Sequence, residues 1–99
     1  MPSKNEVLEA LRQVEDPELG MDIVELGLVY DVEVNEDKVA VKMTLTAPGC
    51  GMGTFIANDA RQKILALEGV GDASVELVWD PPWTPSLMSE EAKLKLGID

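Results

Sequence analysis

Two stretches of the chain carry apolar residues at helical spacing. The first predicts an amphipathic helix over residues 4–14, and Ser3 followed by Glu6 is typical of a capping box at its start. The second predicts a helix over residues 52–67. Their buried faces are expected to comprise Val7, Leu8, Leu11 and Val14 in the first helix, and Met52, Phe55, Ile56, Ala60, Ile64 and Leu67 in the second.

Alternation of apolar and polar residues predicts β-strands elsewhere. Residues 28–34 and 39–46 alternate on either side of a polar turn at 35–38, which indicates an antiparallel hairpin with one solvated face. Thr44 is predicted to lie on that open face. A third strand is predicted before the prolines at 81–82, because proline cannot donate to a strand ladder. The residues of this strand that are predicted to face the core are Val75, Leu77 and Trp79.

The remaining elements are short. Residues 22–27 predict one helical turn, with Asp22 as its N-cap and Gly27 as its terminator. Ser89 is predicted to cap a last short helix. The order α-β-β-α-β-α favours an α+β fold, a two-layer sandwich in which helices pack on one face of a small three-stranded sheet. We expect a single domain over residues 1–99.

Composition excludes several classes of function. Nineteen acidic and eight basic residues give a net charge of −11, so nucleic acids and anionic membranes are not expected partners. No apolar run reaches the roughly 18 residues that a membrane span needs. The absence of histidine excludes a Ser-His-Asp triad and histidine-ligated metals. A lone cysteine and the lack of a leader pattern predict a cytoplasmic protein.

Cys50 is the strongest candidate for chemistry. It is flanked by Gly49 and Gly51 and shortly precedes the second predicted helix. A helix N-terminus stabilises a thiolate and lowers its pKa from about 8.5 toward 7, which suits nucleophilic attack or soft-metal binding. Thr44 and Thr46 lead to it and are able to donate hydrogen bonds to a group bound there, although threonine is also an ordinary strand residue. The alternative is a buried cysteine that acts only as a small apolar side chain.

Two other segments carry candidate site residues. Asp16 and Glu18 flank a proline in an acidic turn, which suits a general base, a metal ligand or a helix cap, and equally a solvated turn. Trp83 lies in a segment rich in tryptophan and proline. Such a segment is typical of a lid or a docking site, or of a cover for the edge of the core.

Four motifs follow one another over most of the chain. They are Asp-Pro-Glu at 16–18, Asp-Ile-Val-Glu-Leu-Gly-Leu-Val-Tyr at 22–30, Met-Thr-Leu-Thr-Ala-Pro-Gly-Cys at 43–50, and Asp-Pro-Pro-Trp at 80–83. Together they resemble the PaaD/SufT-like metal–sulfur cluster assembly family. The resemblance implies a small α+β domain with an accessory role in assembling iron–sulfur clusters or delivering them to clients. It also implies site roles for Cys50, Asp16, Glu18, Thr46 and Trp83, with Cys50 as the metal ligand.

A single thiol restricts what that role can be. Iron–sulfur clusters are usually held by four thiolates, so a cluster or iron at Cys50 is expected to be transient and shared, between subunits of a homodimer or with a partner. Expected partners are iron–sulfur client or assembly proteins, which the acidic surface helps to dock. No nucleotide is expected, because no glycine-rich phosphate loop occurs.

We therefore expect an assembly or carrier adaptor without turnover chemistry. Two alternatives stay open. One is a thiol-dependent enzyme, with Cys50 as nucleophile and Asp16 as base. The other is a protein–protein adaptor in a multicomponent complex, as relatives in aromatic-ring catabolism suggest by resemblance.

Overall fold

The computed structural model describes residues 2–17, 19–45 and 53–97. Its helices are α1 (Lys4–Leu11), α2 (Gly53–Leu65) and α3 (Glu90–Leu96), with a 3₁₀ turn at Pro85–Leu87. Its strands are β1 (Glu15–Asp16), β2 (Met21–Asp22), β3 (Val29–Asn35), β4 (Lys38–Met43) and β5 (Asp72–Leu77). The predicted α+β class and the order of the main elements are confirmed, and the short pair β1–β2 is additional. Among the residues described, no helix combines the length and the apolar character that a membrane crossing requires.

The main sheet has the order β3-β4-β5. Strand β3 runs antiparallel and β5 parallel to the central strand β4. Burial alternates strictly along β4, where Val39, Val41 and Met43 are buried. The predicted hairpin is confirmed, since Asn35 pairs with Lys38 across its turn. Parallel neighbours need a crossover connection, and α2 lies in the connection from β4 to β5.

One face of this sheet is covered by helices and the other is open. Helix α1 packs against β3, α2 packs against β5, and the two helices contact each other. The core between them includes Val7, Leu11, Val32, Val41, Ile56, Ala60 and Ile64. Exposed residues that alternate with the core positions of the strands include Asp31, Glu33, Lys42, Ser74 and Glu76. The acids therefore lie on the open face, as the alternation predicts.

The predicted helix caps are formed. Ser3 Oγ accepts a hydrogen bond from Glu6 N at 3.1 Å, and Glu6 Oε1 accepts one from Ser3 N at 3.2 Å. Ser89 Oγ accepts a bond from Ala92 N at 3.1 Å at the start of α3. Gly97 ends α3 in the left-handed conformation, with a φ of 73°.

Several details differ from the predictions, and β4 ends at Met43 and α2 at Leu65, earlier than the alternation and the helical spacing predict. Helix α1 ends at Leu11, because the chain tightens there into a bond from Val14 N to Leu11 O at 3.0 Å, although Val14 stays buried. Phe55 is 61% exposed, because it lies about 100° around α2 from the buried Ile56. Trp79 is 45% exposed, because β5 ends two residues before it and no longer directs it toward the core.

Candidate functional site

The two ends of the main sheet are closed by different segments of the chain. The first, called the turn end, carries the β3–β4 turn at residues 36–37 and the start of β5. The second, called the loop end, is where β4 and β5 finish and where residues 46–52 connect β4 to α2. The predicted site residues Thr46 and Cys50 belong to this connection and lie outside the described residues. Glu18 of the acidic turn also lies outside them.

The connection leaves and re-enters the described fold at one place. Gly53, the first residue of α2, is buried, and a Cβ atom on it would lie 2.6 Å from Leu45 Cδ1 and 3.6 Å from Leu77 Cδ1. Leu45 is the last described residue before the connection. Glycine at this position therefore lets α2 begin directly against the loop end of the sheet. Cys50 precedes Gly53 by three residues, so the chain itself ties the thiol to this end.

The start of α2 is electrostatically suited to an anion. The N-terminus of a helix carries partial positive charge and N–H groups without partners inside the helix. No acidic residue lies in the first turn of α2, so no carboxylate of its own offsets that charge. A thiolate in the preceding connection is a group that such a field favours.

Asp16 lies in the small hairpin formed by β1 and β2. Its carbonyl oxygen accepts hydrogen bonds from Leu19 N at 3.2 Å and from Gly20 N at 2.8 Å, and Gly20 has a φ of 69°. The predicted tight turn is confirmed. The alternative of a solvated turn holds for the exposed Glu15, Pro17 and Gly20 but not for Asp16, which is only 5% exposed. Burial of a carboxyl group is costly unless polar interactions offset it, and Asp16 is not left without a partner.

A series of main-chain hydrogen bonds ties this acidic hairpin to the loop end. Ile23 N donates to Val14 O at 3.0 Å, and Leu28 N donates to Ile23 O at 3.0 Å. Thr44 N, directly after β4, donates to Leu28 O at 2.8 Å. The segment that holds Asp16 and the segment that leads to Cys50 are therefore joined through the ordered backbone.

Thr44 is the other buried polar residue of the described part of the chain. It is 1% exposed, and its Oγ1 has no hydrogen-bond partner among the described residues. The prediction of an exposed Thr44 is wrong, because β4 ends at Met43 and the alternation of the strand therefore no longer directs Thr44 to the open face. A buried hydroxyl without a partner costs about 1–3 kcal/mol. This cost makes Thr44 a stronger site candidate than its sequence context indicates.

Residues 78–89, called the C-terminal strap, close the loop end. The strap begins beside β4, where Val78 N donates to Met43 O at 2.8 Å. It then passes β3, where Tyr30 Oη donates to Pro81 O at 2.8 Å. A bulge in β3 takes Tyr30 out of the strand ladder at this point. The strap therefore crosses from one edge of the sheet to the other.

The strap ends on the helical turn that the sequence predicts at residues 22–27. Asp22 Oδ1 caps this turn by accepting bonds from Val24 N at 2.9 Å and Glu25 N at 2.8 Å. Gly27 ends it with a φ of 74°, and its N–H donates to Val24 O at 3.1 Å. Both the predicted cap and the predicted terminator are confirmed.

Trp83 and its neighbours satisfy carbonyl groups that this turn leaves open. Trp83 Nε1 donates to Leu26 O at 2.7 Å, and Ser89 N donates to Glu25 O at 2.8 Å. Lys95 Nζ lies 3.7 Å from Glu25 Oε2 and adds an ion pair. Trp83 is half-buried and packs against the core. Its contacts match the interpretation of a side chain that covers the edge of the core.

The described residues alone do not form a metal site. In the ranges that the structure covers, no three Cys, Asp or Glu side chains come together in a way that could hold a metal ion. The loop end combines a buried hydroxyl group and the start of a helix, which lie on either side in sequence of the connection that bears the chain's one thiol. The buried Asp16 belongs to the hairpin that backbone hydrogen bonds join to this end.

A small α+β domain with a thiol-bearing connection between the end of a strand and a helix N-terminus is the class of protein that fold and site define. Residues 4–77 match the family described as "Iron-sulfur cluster assembly protein", and the chain belongs to this family. The resemblance inferred from the four motifs is confirmed.

Named relatives agree with this membership over nearly the whole chain. The chain is 48% identical over 96 residues to "Fe-S protein maturation auxiliary factor YitW" of Bacillus subtilis, covering 96% of this chain and 94% of that protein. It is 48% identical over 84 residues to "Fe-S protein maturation auxiliary factor SufT" of Staphylococcus aureus, covering 84% of this chain and 96% of that protein. A crystal structure of a domain of unknown function from Bacillus anthracis superimposes with a TM-score of 0.91 at 41% identity, covering 97% of this chain and 92% of that one.

A longer relative contains the same domain as one part. The chain is 33% identical over 92 residues to "Iron-sulfur cluster carrier protein" of Synechocystis, which covers 93% of this chain but 26% of that protein. The similarity is therefore confined to one region of the carrier.

Proposed function

We propose that this protein is an accessory factor in iron–sulfur cluster assembly that holds a cluster, or iron destined for one, at Cys50 and delivers it to client proteins. The observation that carries the proposal is the position of the single cysteine, in the connection at the loop end of a member of this family. Relatives named as maturation auxiliary factors and as a cluster carrier support the same role.

The groups around the connection have distinct parts in this proposal. Cys50 is the thiolate ligand, and the N-terminus of α2 stabilises its negative charge. Thiol ligands bind metal only after deprotonation, and Asp16 is the group that accepts the released proton. Thr44 and Thr46 donate hydrogen bonds to the sulfur or to the cargo, and Glu18 is a further carboxylate that can bind the iron. Trp83 acts indirectly, since its indole N–H bonds to Leu26 and holds the strap.

Cluster stoichiometry requires the site to be shared. A cluster is usually held by four thiolates, and this chain supplies one. We therefore infer that the cargo is bridged between Cys50 and thiols of a partner, or between two copies of the chain together with outside thiols. A site that is incomplete on one chain also releases its cargo readily, which suits delivery better than storage.

The electrostatics of the surface suit docking to basic partners. The net charge is −11, and the open sheet face includes Asp31, Glu33 and Glu76. Such a surface steers a partner with a basic patch and speeds association at low ionic strength. We place the protein in the cytoplasm, where a free thiol stays reduced.

Anaerobic loading tests the proposal. Wild-type protein is incubated with ferrous iron, sulfide and a small thiol, and the sulfur-to-iron charge-transfer absorbance is recorded after desalting. We expect absorbance for wild type and a loss to background for Cys50→Ser. A Cys50→Ser protein that keeps the wild-type absorbance would contradict the role of Cys50.

The role of Asp16 is tested by the pH dependence of loading. Asp16→Asn keeps the size of the side chain but removes the proton acceptor. We expect slower loading near neutral pH and recovery at higher pH, where hydroxide deprotonates the thiol. An equal slowing at every pH would point to a structural role for Asp16.

A further inference from the structure

Strand β5 has a free edge, because among the residues described it pairs with β4 alone. In a parallel pair, alternate residues turn their N–H and C=O groups toward the neighbouring strand and the others turn theirs away. Val78 N donates to a carbonyl of β4, whereas Ala73 O accepts a bond from Arg61 on the other side. These bonds show which residues of β5 direct their backbone groups toward β4 and which direct them away from it. Val75 and Leu77, like Ala73, present their backbone groups to the free edge.

The first part of this edge is closed by the protein's own side chains. Arg61 Nε donates to Ala73 O at 2.9 Å, and Ala73 N donates to Asp72 Oδ1 at 2.9 Å. Arg61 also lies 3.9 Å from Asp72 as an ion pair. Beyond them, Val75 and Leu77 offer two N–H donors and two carbonyl acceptors, to which no described residue is bonded. Proteins usually block such edges, so a half-blocked edge is a template for a further strand.

A groove runs along the helix side of the open part of this edge. Its volume is about 360 Å³, and its lining residues are Thr54, Ala57, Asn58, Arg61, Val75 and Leu77. A strand added beside β5 would direct every second side chain into this groove. Ala57, Val75 and Leu77 provide an apolar lining for that side chain. Arg61 at the groove disfavours a basic side chain there.

The opposite side of the added strand would meet the open sheet face. Glu76 is exposed there, and Lys42 lies opposite both Glu76 on β5 and Asp31 on β3. Asp31 and Glu76 therefore lie on either side of the single base Lys42, in a chain whose net charge is −11. A basic side chain beside Glu76 is therefore favoured.

We propose that the β5 edge at Val75 and Leu77 binds an extended segment of a partner protein, in which apolar and basic residues alternate. The backbone of that segment adds a strand to the sheet, its apolar side chains enter the groove beside Ala57, and its basic side chains face Glu76. The surface is separate from the proposed role of Cys50, and it identifies the kind of partner sequence that docks.

A second copy of this chain fits the edge poorly. An antiparallel pairing centred on Val75 would set Leu77 of one copy against Ala73 of the other, and the backbone groups of Ala73 are already bonded. It would also bring together two chains that each carry a net charge of −11. A basic partner segment can bond to the backbone groups of Val75 and Leu77, and its positive charge is attracted to the negative charge of this protein.

The test is a titration of ¹⁵N-labelled full-length protein with the capped peptide Val-Lys-Val-Lys-Val-Lys. Controls are Val-Glu-Val-Glu-Val-Glu and Val-Val-Val-Lys-Lys-Lys. We expect the largest amide shifts at Val75 and Leu77 and slowed hydrogen exchange at these two amides. Val-Glu-Val-Glu-Val-Glu and Val-Val-Val-Lys-Lys-Lys should each bind at least about tenfold more weakly than the alternating lysine peptide. A tenfold difference corresponds to the loss of one well-placed interaction.

Variants separate edge binding from general charge attraction. Val75→Pro removes an N–H that points away from β4 and is compared with Val75→Thr, which keeps it. We expect about a tenfold or greater loss of affinity for the proline variant alone. Because Val75→Pro can disturb the strand, Glu76→Lys is the second variant and should reverse the preference between the lysine and glutamate peptides. Cys50→Ser should bind the peptide as wild type does.

Three results would overturn the inference. They are shifts centred away from β5, equal binding of the acidic peptide, and shifts at Val75 and Leu77 that arise from self-association as protein concentration rises. None of these results bears on iron loading at Cys50, so failure here is distinguishable from failure of the proposed function.

Discussion

The turn end and the loop end of the sheet are built on different principles. At the turn end, the turn at residues 36–37 joins β3 to β4, Asp37 O accepts bonds from Gly71 N at 2.8 Å and Asp72 N at 3.3 Å, and these residues are exposed. At the loop end, segments far apart in sequence converge. The strap crosses the sheet there, Thr44 is buried without a partner among the described residues, and Trp79 stays exposed.

The two ends differ in where the fold buries polar groups. Buried polar groups lower stability unless something offsets them. Thr44 lies at the loop end, shortly before the connection that bears Cys50, and Asp16 lies in the hairpin that backbone bonds join to this end. Natural proteins tend to depart from the rules of good packing at functional sites. Variants at the two ends should therefore differ in their effect on stability and on function.

The largest effect is expected for Gly27→Ala. Gly27 has a φ of +74°, and an added Cβ would overlap the Leu87 carbonyl of the strap. We expect a loss of about 3 kcal/mol or more in the free energy of unfolding, measured by urea titration. Gly20→Ala is the matched control, because its φ is +69° but nothing lies within 4 Å. Equal losses in the two variants would show that the strap does not press on the turn.

The next effect is expected for Trp83→Phe, which leaves Leu26 O without its indole donor. We expect a loss of about 1–3 kcal/mol in the free energy of unfolding, because Leu26 is buried and its carbonyl oxygen loses a hydrogen-bond donor. Trp79→Phe, at a residue that is 45% exposed, should change stability by less than about 0.5 kcal/mol. Similar effects of the two substitutions would contradict the anchoring role of Trp83.

Thr44→Val should change stability and function in opposite directions. It removes a buried hydroxyl that has no partner among the described residues, at nearly constant shape. We expect a gain of about 1 kcal/mol in the free energy of unfolding together with weaker iron loading. Thr54→Val on the exposed side of α2 is the control and should do neither. Destabilisation by Thr44→Val would mean that the hydroxyl is satisfied in the protein.

The smallest effect belongs to the turn end. Glu36 has a φ of 57°, a conformation that asparagine tolerates better than glutamate. We expect Glu36→Asn to gain about 0.5–1 kcal/mol in thermal or chemical unfolding, without any change in loading. Glu36→Gln removes the charge but keeps the unfavourable conformation, so it should gain nothing. A gain with the glutamine variant would assign the effect to charge.

Local patterns predicted those parts of the fold that local contacts build. The capping box at Ser3 and Glu6, the hairpin around Asn35 and Lys38, and the turn ended by Gly27 all depend on neighbours within a few residues. The errors arise where an element ends or where a helix turns a residue away from its buried face. Thr44 and Trp79 both follow the end of a strand whose last residue alternation alone does not define, and Phe55 lies beside the buried face of α2.

The sequence predicted candidate residues for the site but not how tertiary packing arranges them. The motifs identified Asp16, Cys50 and Trp83 one by one. The burial of Asp16, and the bond from Trp83 to Leu26, depend on tertiary packing that periodicity does not encode. The open edge at β5 also needed the structure, because only the paired strands reveal which backbone groups remain free.

The role of Cys50 in delivery is measured by the activation of an apo iron–sulfur client enzyme by the loaded protein under anaerobic conditions. Wild type and Glu36→Asn should restore client activity at the same rate. Cys50→Ser, folded by its circular dichroism and unfolding curve, should leave the client at the level reached with iron and sulfide alone. Full activation by Cys50→Ser would contradict the account, because the loop end would then hold no group on which delivery depends.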